Sequence, residues 1–153
     1  MTAMSISLNE TLRARTIIRP HLTPTPLRRY ESLCRLTGAE VWIKHENHNP
    51  TGTFKIRGGL TLMHHLRNQG VSGVITYSTG NHGTSVATSA RMFGLTAVVV
   101  VPQNSNPLKV QAIRDTGAEL VVYGATFEEA GEKVMALKGE RGLYFVHPAN
   151  EPC

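Results

Sequence analysis

From Val71 to Val146 the sequence alternates between short apolar runs and longer amphipathic segments, and this alternation constrains the fold more than any other feature. The apolar runs are rich in β-branched residues and recur every roughly 22–24 residues, which leaves room for a crossover helix between parallel strands. They stay apolar on successive residues, as strands do when helices cover both faces of a sheet. We therefore predict an α/β fold with an open parallel sheet and helices on both faces.

Turn and capping residues set the predicted boundaries of these elements. The predicted strands are Gly73–Tyr77, Ala97–Val101, Leu120–Val122 and Leu143–Val146. The predicted helices of this region are Thr84–Phe93, a helix with Asn106 as N-cap and Pro107 at its first position that runs to Thr116, and a helix capped by Thr126. Because open parallel sheets bind ligands beyond the carboxyl ends of their strands, we expect a functional site at that edge.

The first part of the chain is less regular. Ser7 and Glu10 have the spacing of a capping box, which predicts a helix from about Leu8 to Ile18. The further predicted elements are an extended link over Thr23–Pro26, a short helix over Tyr30–Leu36 that ends at Gly38, and a strand over Val41–Ile43.

Composition excludes several classes of function. The chain is 41% hydrophobic and 18% charged, as in ordinary globular proteins. Its longest apolar run is far shorter than the ~20 residues of a membrane span, and its N-terminus lacks the apolar core of a signal peptide. The net charge is +5, but the basic residues are scattered without interleaved aromatic residues, so we expect no nucleic-acid partner. Cys34 and Cys153 form no metal or redox motif, and a reduced, cytoplasmic protein is the simplest interpretation.

The segment NPTGTFKIRGG places Lys55 between Phe54 and Ile56 just after a turn. Thr53 is the predicted N-cap of the next helix, so Lys55 falls in its first turn, where the helix dipole disfavours a cation. Burial among apolar neighbours disfavours the ammonium form as well. Both effects favour the neutral amine, which is the form that Schiff-base chemistry requires. A lysine whose stem packs on Phe54 while its charge reaches solvent is the structural alternative.

The segment STGNHG, which contains Ser78, Thr79, Gly80, Asn81 and His82, lies between a predicted strand and a predicted helix. Backbone N–H groups and the helix dipole make such a corner an anion site, and the glycines permit close approach of a ligand. A carboxylate and a phosphate fit equally well, and a polar turn with an N-cap is the structural alternative.

Metal binding is not predicted. The histidine pairs His45–His48 and His64–His65 lack partners at ligand spacing. The glycine patterns of dinucleotide-binding and phosphate-binding loops are absent from the sequence.

Taken together, the two segments resemble motifs of the fold-type-II pyridoxal-phosphate enzymes (the tryptophan synthase beta-like superfamily). ENHNPTGTFKIRGG is similar to the lysine motif of that family, and STGNHG is similar to its asparagine loop. The segments TPL at Thr25–Leu27, KVQAIRDTGAELV at Lys109–Val121 and VHP at Val146–Pro148 resemble family segments in the same order. The nearest resemblance is to the threonine/serine dehydratase, or ammonia-lyase, branch.

The resemblance implies roles for individual residues. Lys55 is implied to form the covalent aldimine with pyridoxal 5'-phosphate and to remove the substrate α-proton. Phe54 and Asn81 are implied to contact the cofactor, Asn81 at its 3-oxygen. The residues implied to hold the carboxylate of a small amino-acid substrate are Ser78, Thr79, Gly80, Asn81 and His82.

The implied reaction is α,β-elimination from L-threonine or L-serine to a 2-oxo acid and ammonia. Other reactions of the family remain open, namely β-replacement as in cysteine synthase and amino-acid racemisation, as does a non-catalytic small-domain module. Thr79 stands where racemases have a second loop serine, which favours dehydration, and Ser85 stands where the family loop has a glycine.

Family members are about twice as long as this chain, and their glycine-rich phosphate loop comes later. The resemblance therefore implies that residues 1–50 belong to the large domain and residues 51–150 form the small α/β domain that carries Lys55. We expect a truncated chain that is inactive alone and that forms a homo-oligomer or pairs with a C-terminal half.

Overall fold

The computed structural model describes residues 7–149 and residue 151. The strands are β1 Leu27–Arg29, β2 Trp42–Lys44, β3 Gly73–Tyr77, β4 Thr96–Val101, β5 Glu119–Val122 and β6 Tyr144–Phe145. The helices are α1 Leu8–Ile18, α2 Glu31–Thr37, α3 Lys55–Asn68, α4 Asn81–Met92, α5 Pro107–Arg114 and α6 Phe127–Arg141, with a short 3-10 helix over Glu46–His48. Among these helices, none combines the length and apolar character that crossing a membrane requires.

Four strands form one parallel sheet in the order β5-β4-β3-β6. β3 lies inside this sheet and pairs in parallel with both β4 and β6. The carboxyl ends of β3 and β6 therefore lie side by side, which brings the segments that follow them to one edge of the sheet. The predicted parallel α/β architecture is confirmed.

Helices cover both faces of this sheet. Because side chains alternate between the faces along each strand, the strand residues divide between two core clusters. Val74 of β3 and Val99 of β4 are buried in a core cluster with α3 and α4, whereas Ile75 and Val98 are buried in a second cluster with α6. Ile17 and Ile18 of α1 pack against the first cluster. The continuous apolar pattern of the strands thus reflects burial on both faces.

Several helix boundaries confirm the sequence prediction. Helix α1 has the predicted bounds, and both hydrogen bonds of the Ser7–Glu10 capping box are formed. Asn106 and Thr126 cap α5 and α6 through their side chains, as predicted. Gly38 ends α2 in the left-handed conformation with φ 67°.

Helix α4 begins at Asn81, three residues before the predicted start at Thr84. Gly80 is its N-cap in an extended conformation, and the Thr84 amide donates to the Gly80 carbonyl at 3.3 Å. Asn81 and His82 therefore belong to the first turn of the helix, and the connection from β3 is shorter than predicted.

The prediction that Thr53 caps α3 is wrong. The residue before the helix is Phe54, whose backbone is already helical with φ −67° and ψ −18°, and among the described residues no side chain caps this end. The Thr53 carbonyl instead accepts a hydrogen bond from the side chain of Asn49 at 3.2 Å. Strand β1 and the 3-10 helix were not predicted, and β1 pairs antiparallel with β2 outside the main sheet.

Candidate functional site

A cleft of about 310 Å³ lies at the carboxyl edge of the parallel sheet. One wall comes from the first turns of α3, one from the start of α4, and one from the chain that follows β6. The polar or charged side chains on these walls are Lys55, His82, Ser85, His147 and Glu151. The cleft has the position predicted from the topology of open parallel sheets.

Lys55 is the first residue of α3 and is half-buried at the cleft. The prediction that it lies in the first turn of a helix is confirmed. Its neighbour Phe54 is 62% exposed and does not line this cleft, so Phe54 is not a buried apolar neighbour of the amine. The assignment of Phe54 as a cofactor contact stays a prediction.

The connection from β3 to α4 folds around Ser78. The Ser78 side chain is buried, and its hydroxyl accepts a hydrogen bond from the Gly80 amide at 3.2 Å. Gly83 packs against the same residue so closely that a Cβ there would lie 2.8 Å from the Ser78 carbonyl oxygen. Glycine at position 83 therefore permits the turn to approach the first turn of α4.

Of the residues predicted in this segment, only His82 lines the cleft with Lys55. Ser78, Thr79 and Gly80 form the turn beyond β3, and Asn81 is exposed at the start of α4. The backbone at Gly80 is open, because a Cβ built there meets nothing within 4 Å. This turn offers backbone N–H groups at a helix N-terminus beside the cleft, which is the arrangement that binds anions.

His82 is held by a buried hydroxyl that sequence reasoning did not identify. Its Nε2 lies 3.0 Å from Thr76 Oγ1, and the Thr76 hydroxyl donates to the Val146 carbonyl at 2.9 Å. Because the hydroxyl proton is used in that bond, Thr76 Oγ1 accepts from His82, which places a proton on Nε2. Thr76 thereby fixes the orientation and tautomer of His82 and links β3 to the chain after β6.

The surroundings of His82 favour its neutral form. Burial and then the positive charge of Lys55 lower the pKa of His82 from its ordinary value of 6.5, and the Val146 carbonyl and Glu151 act in the opposite direction. The imidazole is therefore neutral near pH 7, with an N–H directed to Thr76.

The segment after β6 closes the cleft. The Glu151 carboxylate accepts hydrogen bonds from the Tyr144 hydroxyl at 2.5 Å and from the His147 amide at 2.8 Å. Sequence reasoning quoted Val146–Pro148 as a family segment but assigned no cleft residue there. The topology contained the signal, since a segment that follows a strand parallel to β3 must reach the same edge of the sheet.

His45 and His48, one of the two histidine pairs considered as metal ligands, have other contacts. His45 Nε2 lies 2.8 Å from the Tyr30 hydroxyl, and the rings of His45 and His48 are 5.3 Å apart. Within residues 7–149 and residue 151, no group of three or more histidine, cysteine or acidic residues could hold a metal ion.

Comparison with known proteins gives a consistent result. Residues 18–153 match the family described as pyridoxal-phosphate dependent enzyme. The chain is 39% identical over 129 residues to the biosynthetic L-threonine dehydratase IlvA of Haemophilus influenzae, an alignment that covers 84% of this chain and 25% of that protein. It is 34% identical over 148 residues to the L-threonine ammonia-lyase of Thermotoga maritima, with 96% of this chain and 37% of that protein covered.

Solved structures show the same similarity. The structure of maize serine racemase superimposes with a TM-score of 0.88 at 29% identity, covering 95% of this chain and 44% of that one. The processed form of threonine deaminase isoform 2 from Solanum lycopersicum superimposes with a TM-score of 0.80 at 30% identity, covering 97% of this chain and 45% of that one. The chain thus spans between a quarter and a half of the length of these relatives.

Proposed function

Because this chain belongs to the family of pyridoxal-phosphate dependent enzymes, which its residues 18–153 match, we propose that it provides the reactive lysine of an ammonia-lyase site. The proposed reaction converts L-threonine to 2-oxobutanoate and ammonia, or L-serine to pyruvate and ammonia. The observation that carries the proposal is the position of Lys55, in a cleft that His82 also lines, at the carboxyl edge of a parallel sheet. The dehydratase and ammonia-lyase names of the relatives support the choice of reaction.

The residues around the cleft fit pyridoxal phosphate. The cofactor is an aldehyde, and a primary amine such as that of Lys55 is the group with which an aldehyde bonds. Gly58 on α3 lines the cleft with Lys55 and leaves space there, since a Cβ at this position meets nothing within 4 Å, and the backbone at Gly80 before α4 is equally open. We propose that Lys55 holds the cofactor covalently and that the Asn81 side chain hydrogen-bonds to it.

Bound pyridoxal phosphate supplies an electron sink that stabilises negative charge at the substrate α-carbon. We assign to the Lys55 amine the removal of the α-proton. The turn Ser78–Gly80 and the first amides of α4 supply N–H groups and hydroxyls for the substrate carboxylate. His82, neutral and bound to Thr76, adds a polar wall without a second positive charge beside Lys55.

Covalent trapping on the purified chain tests this proposal. The chain is incubated with pyridoxal phosphate, reduced with borohydride, and digested for peptide mass spectrometry. We expect modification at Lys55 in preference to Lys109, which is also in the first turn of a helix but is exposed outside the cleft. Lys55→Ala removes the main product and Lys109→Ala does not. Equal labelling of the two lysines in the folded chain contradicts the proposal.

Racemisation is the second candidate function. The similarity to maize serine racemase favours it, whereas Thr79, in the place of the second loop serine of racemases, favours dehydration. A racemase forms D-serine from L-serine, whereas a lyase releases pyruvate and ammonia, so an incubation of the chain, paired with a C-terminal half, with L-serine and pyridoxal phosphate separates the two. We expect pyruvate as the main product wherever turnover is measured.

A further inference from the structure

We propose that Glu46 is a positioning residue that fixes the first turn of α3 and, through it, the direction of the Lys55 side chain. Glu46 acts together with Arg57, Thr25 and Asn49, and we refer to these four residues as the Glu46 bridge. The inference rests on the proposed function, because it assigns to the bridge the orientation of the lysine that holds the cofactor.

The centre of the bridge is a two-pronged ion pair. Arg57 Nε donates to Glu46 Oε2 at 2.7 Å, and Arg57 Nη2 donates to Glu46 Oε1 at 3.0 Å. This planar arrangement fixes both side chains more firmly than a single contact does. The pair is partly shielded, with 30% of the Arg57 side chain and 22% of the Glu46 side chain exposed.

Two further donors complete the hydrogen bonding of the carboxylate. The Thr25 hydroxyl donates to Glu46 Oε1 at 2.7 Å, and the Asn49 amide donates to Glu46 Oε2 at 2.8 Å. Together these donors lower the pKa of Glu46 to about 2, with Arg57 as the largest cause. Thr25 and Asn49 are each only 6% exposed, so the bridge joins three segments of chain in a shielded position.

Asn49 connects the bridge to the turn before Lys55. Besides the Glu46 carboxylate, the side-chain amide of Asn49 contacts two backbone groups. It donates to the Glu46 carbonyl at 3.0 Å and to the Thr53 carbonyl at 3.2 Å. Thr53 is itself only 8% exposed. The backbone two residues before Lys55 is therefore fixed by a side chain that is bound to Glu46.

Arg57 holds the same turn from the helix side. It follows Lys55 by two residues, which places the two side chains about 200° apart around the helix axis. Lys55 lines the cleft while Arg57 faces Glu46, so the bridge restrains the turn from the side away from the cleft. No described side chain caps α3, and the Glu46–Arg57 pair instead ties its first turn to the segment that precedes it.

The test compares Glu46→Gln with Glu119→Gln, a matched change in the exposed ion pair that Glu119 forms with Arg141 at 2.8 Å. Both variants and the wild type are incubated with pyridoxal phosphate and trapped with borohydride. The readout is the ratio of modification at Lys55 to modification at Lys109, measured under conditions in which circular dichroism shows that each variant is folded. We expect Glu46→Gln to lower this ratio about tenfold, as for one charge-assisted contact. Glu119→Gln leaves it unchanged.

Hydrogen exchange of the peptide over residues 51–58 gives an independent readout without the cofactor. We expect faster exchange in Glu46→Gln and an intermediate rate in Arg57→Lys, which keeps the charge but loses the paired geometry. Arg57→Lys also replaces Glu46→Gln if that variant does not fold. A trapping ratio within twofold of wild type, with faster exchange, assigns the bridge to stability alone and overturns the proposal. If the wild type itself shows no preference for Lys55, the proposed function fails. In that case unchanged hydrogen exchange in both variants separately refutes the proposal that the Glu46 bridge fixes the first turn of α3.

Discussion

Replacing Glu46 with glutamine should remove a pH-dependent part of the stability of this chain. The substitution keeps the shape of the side chain but deletes the charge that pairs with Arg57. The pKa of Glu46 falls from 4.5 to about 2 in the folded chain, chiefly through its hydrogen bonds from Arg57. Glutamine cannot titrate, so the variant lacks the corresponding linkage between protonation and folding.

The size of the effect follows from the pKa. A fall from 4.5 to about 2 corresponds to about 3 kcal/mol, at about 1.4 kcal/mol for each tenfold change in proton affinity. Because 22% of the Glu46 side chain is exposed, solvent screens part of this interaction. We therefore expect Glu46 to contribute about 1–3 kcal/mol to the free energy of unfolding. Because the folded state has the lower pKa, the stabilisation is complete above pH 4.5 and disappears as the pH falls toward 2.

Urea denaturation followed by circular dichroism measures the free energy of unfolding of the variant and the wild type at several pH values between 7 and 2. We expect the free energy of unfolding of Glu46→Gln to lie below that of the wild type at pH 7 and the gap to close at acid pH. Glu119→Gln, in a pair with 43% and 49% of its side chains exposed, should cost at most about 1 kcal/mol. A gap for Glu46→Gln that stays constant with pH, or is below about 0.5 kcal/mol at neutral pH, would refute the reasoning.

Three further outcomes follow from the site and its packing. Nitrogen NMR should show neutral His82 protonated at Nε2 with a pKa below 6.5, and Thr76→Val should weaken that tautomer preference because the Thr76 acceptor is gone while the Val146 carbonyl stays. Gly83→Ala should lower the free energy of unfolding by about 1–3 kcal/mol, since its Cβ would lie 2.8 Å from the Ser78 carbonyl oxygen. Gly139→Ala in α6, where a Cβ meets nothing within 4 Å, should raise it by about 0.5–1 kcal/mol in the same urea measurement.

The main architecture could be predicted because the signals that specify it are local, so each can be read from a few neighbouring residues. The Ser7 capping box, the Asn106 cap and the apolar runs of the parallel strands all specify structure within one turn or one strand. Helix α4 was predicted to start too late because Gly80 resembles a loop residue, whereas in the structure its extended backbone caps the helix.

The contacts that build the site join residues far apart in sequence, and local patterns do not encode them. Thr76 and Val146 are 70 residues apart, and Thr25 and Arg57 are 32 apart, yet both pairs are within hydrogen-bonding distance. Lys55 and His82 could be predicted as candidates from their segments. The fixing of His82 by Thr76 required the register of β3 beside β6.

The helix that presents Lys55 also supplies much of the protein interior. Ile56, the next residue, is 0% exposed, as are Leu60 and Met63 further along α3. Substitutions at these apolar positions therefore change the surroundings of Lys55 even though none of the three residues lines the cleft. The substitutions that α3 tolerates should therefore depend on both the stability of the core and the orientation of Lys55. A screen for stable variants of this helix then also selects among orientations of the Lys55 side chain.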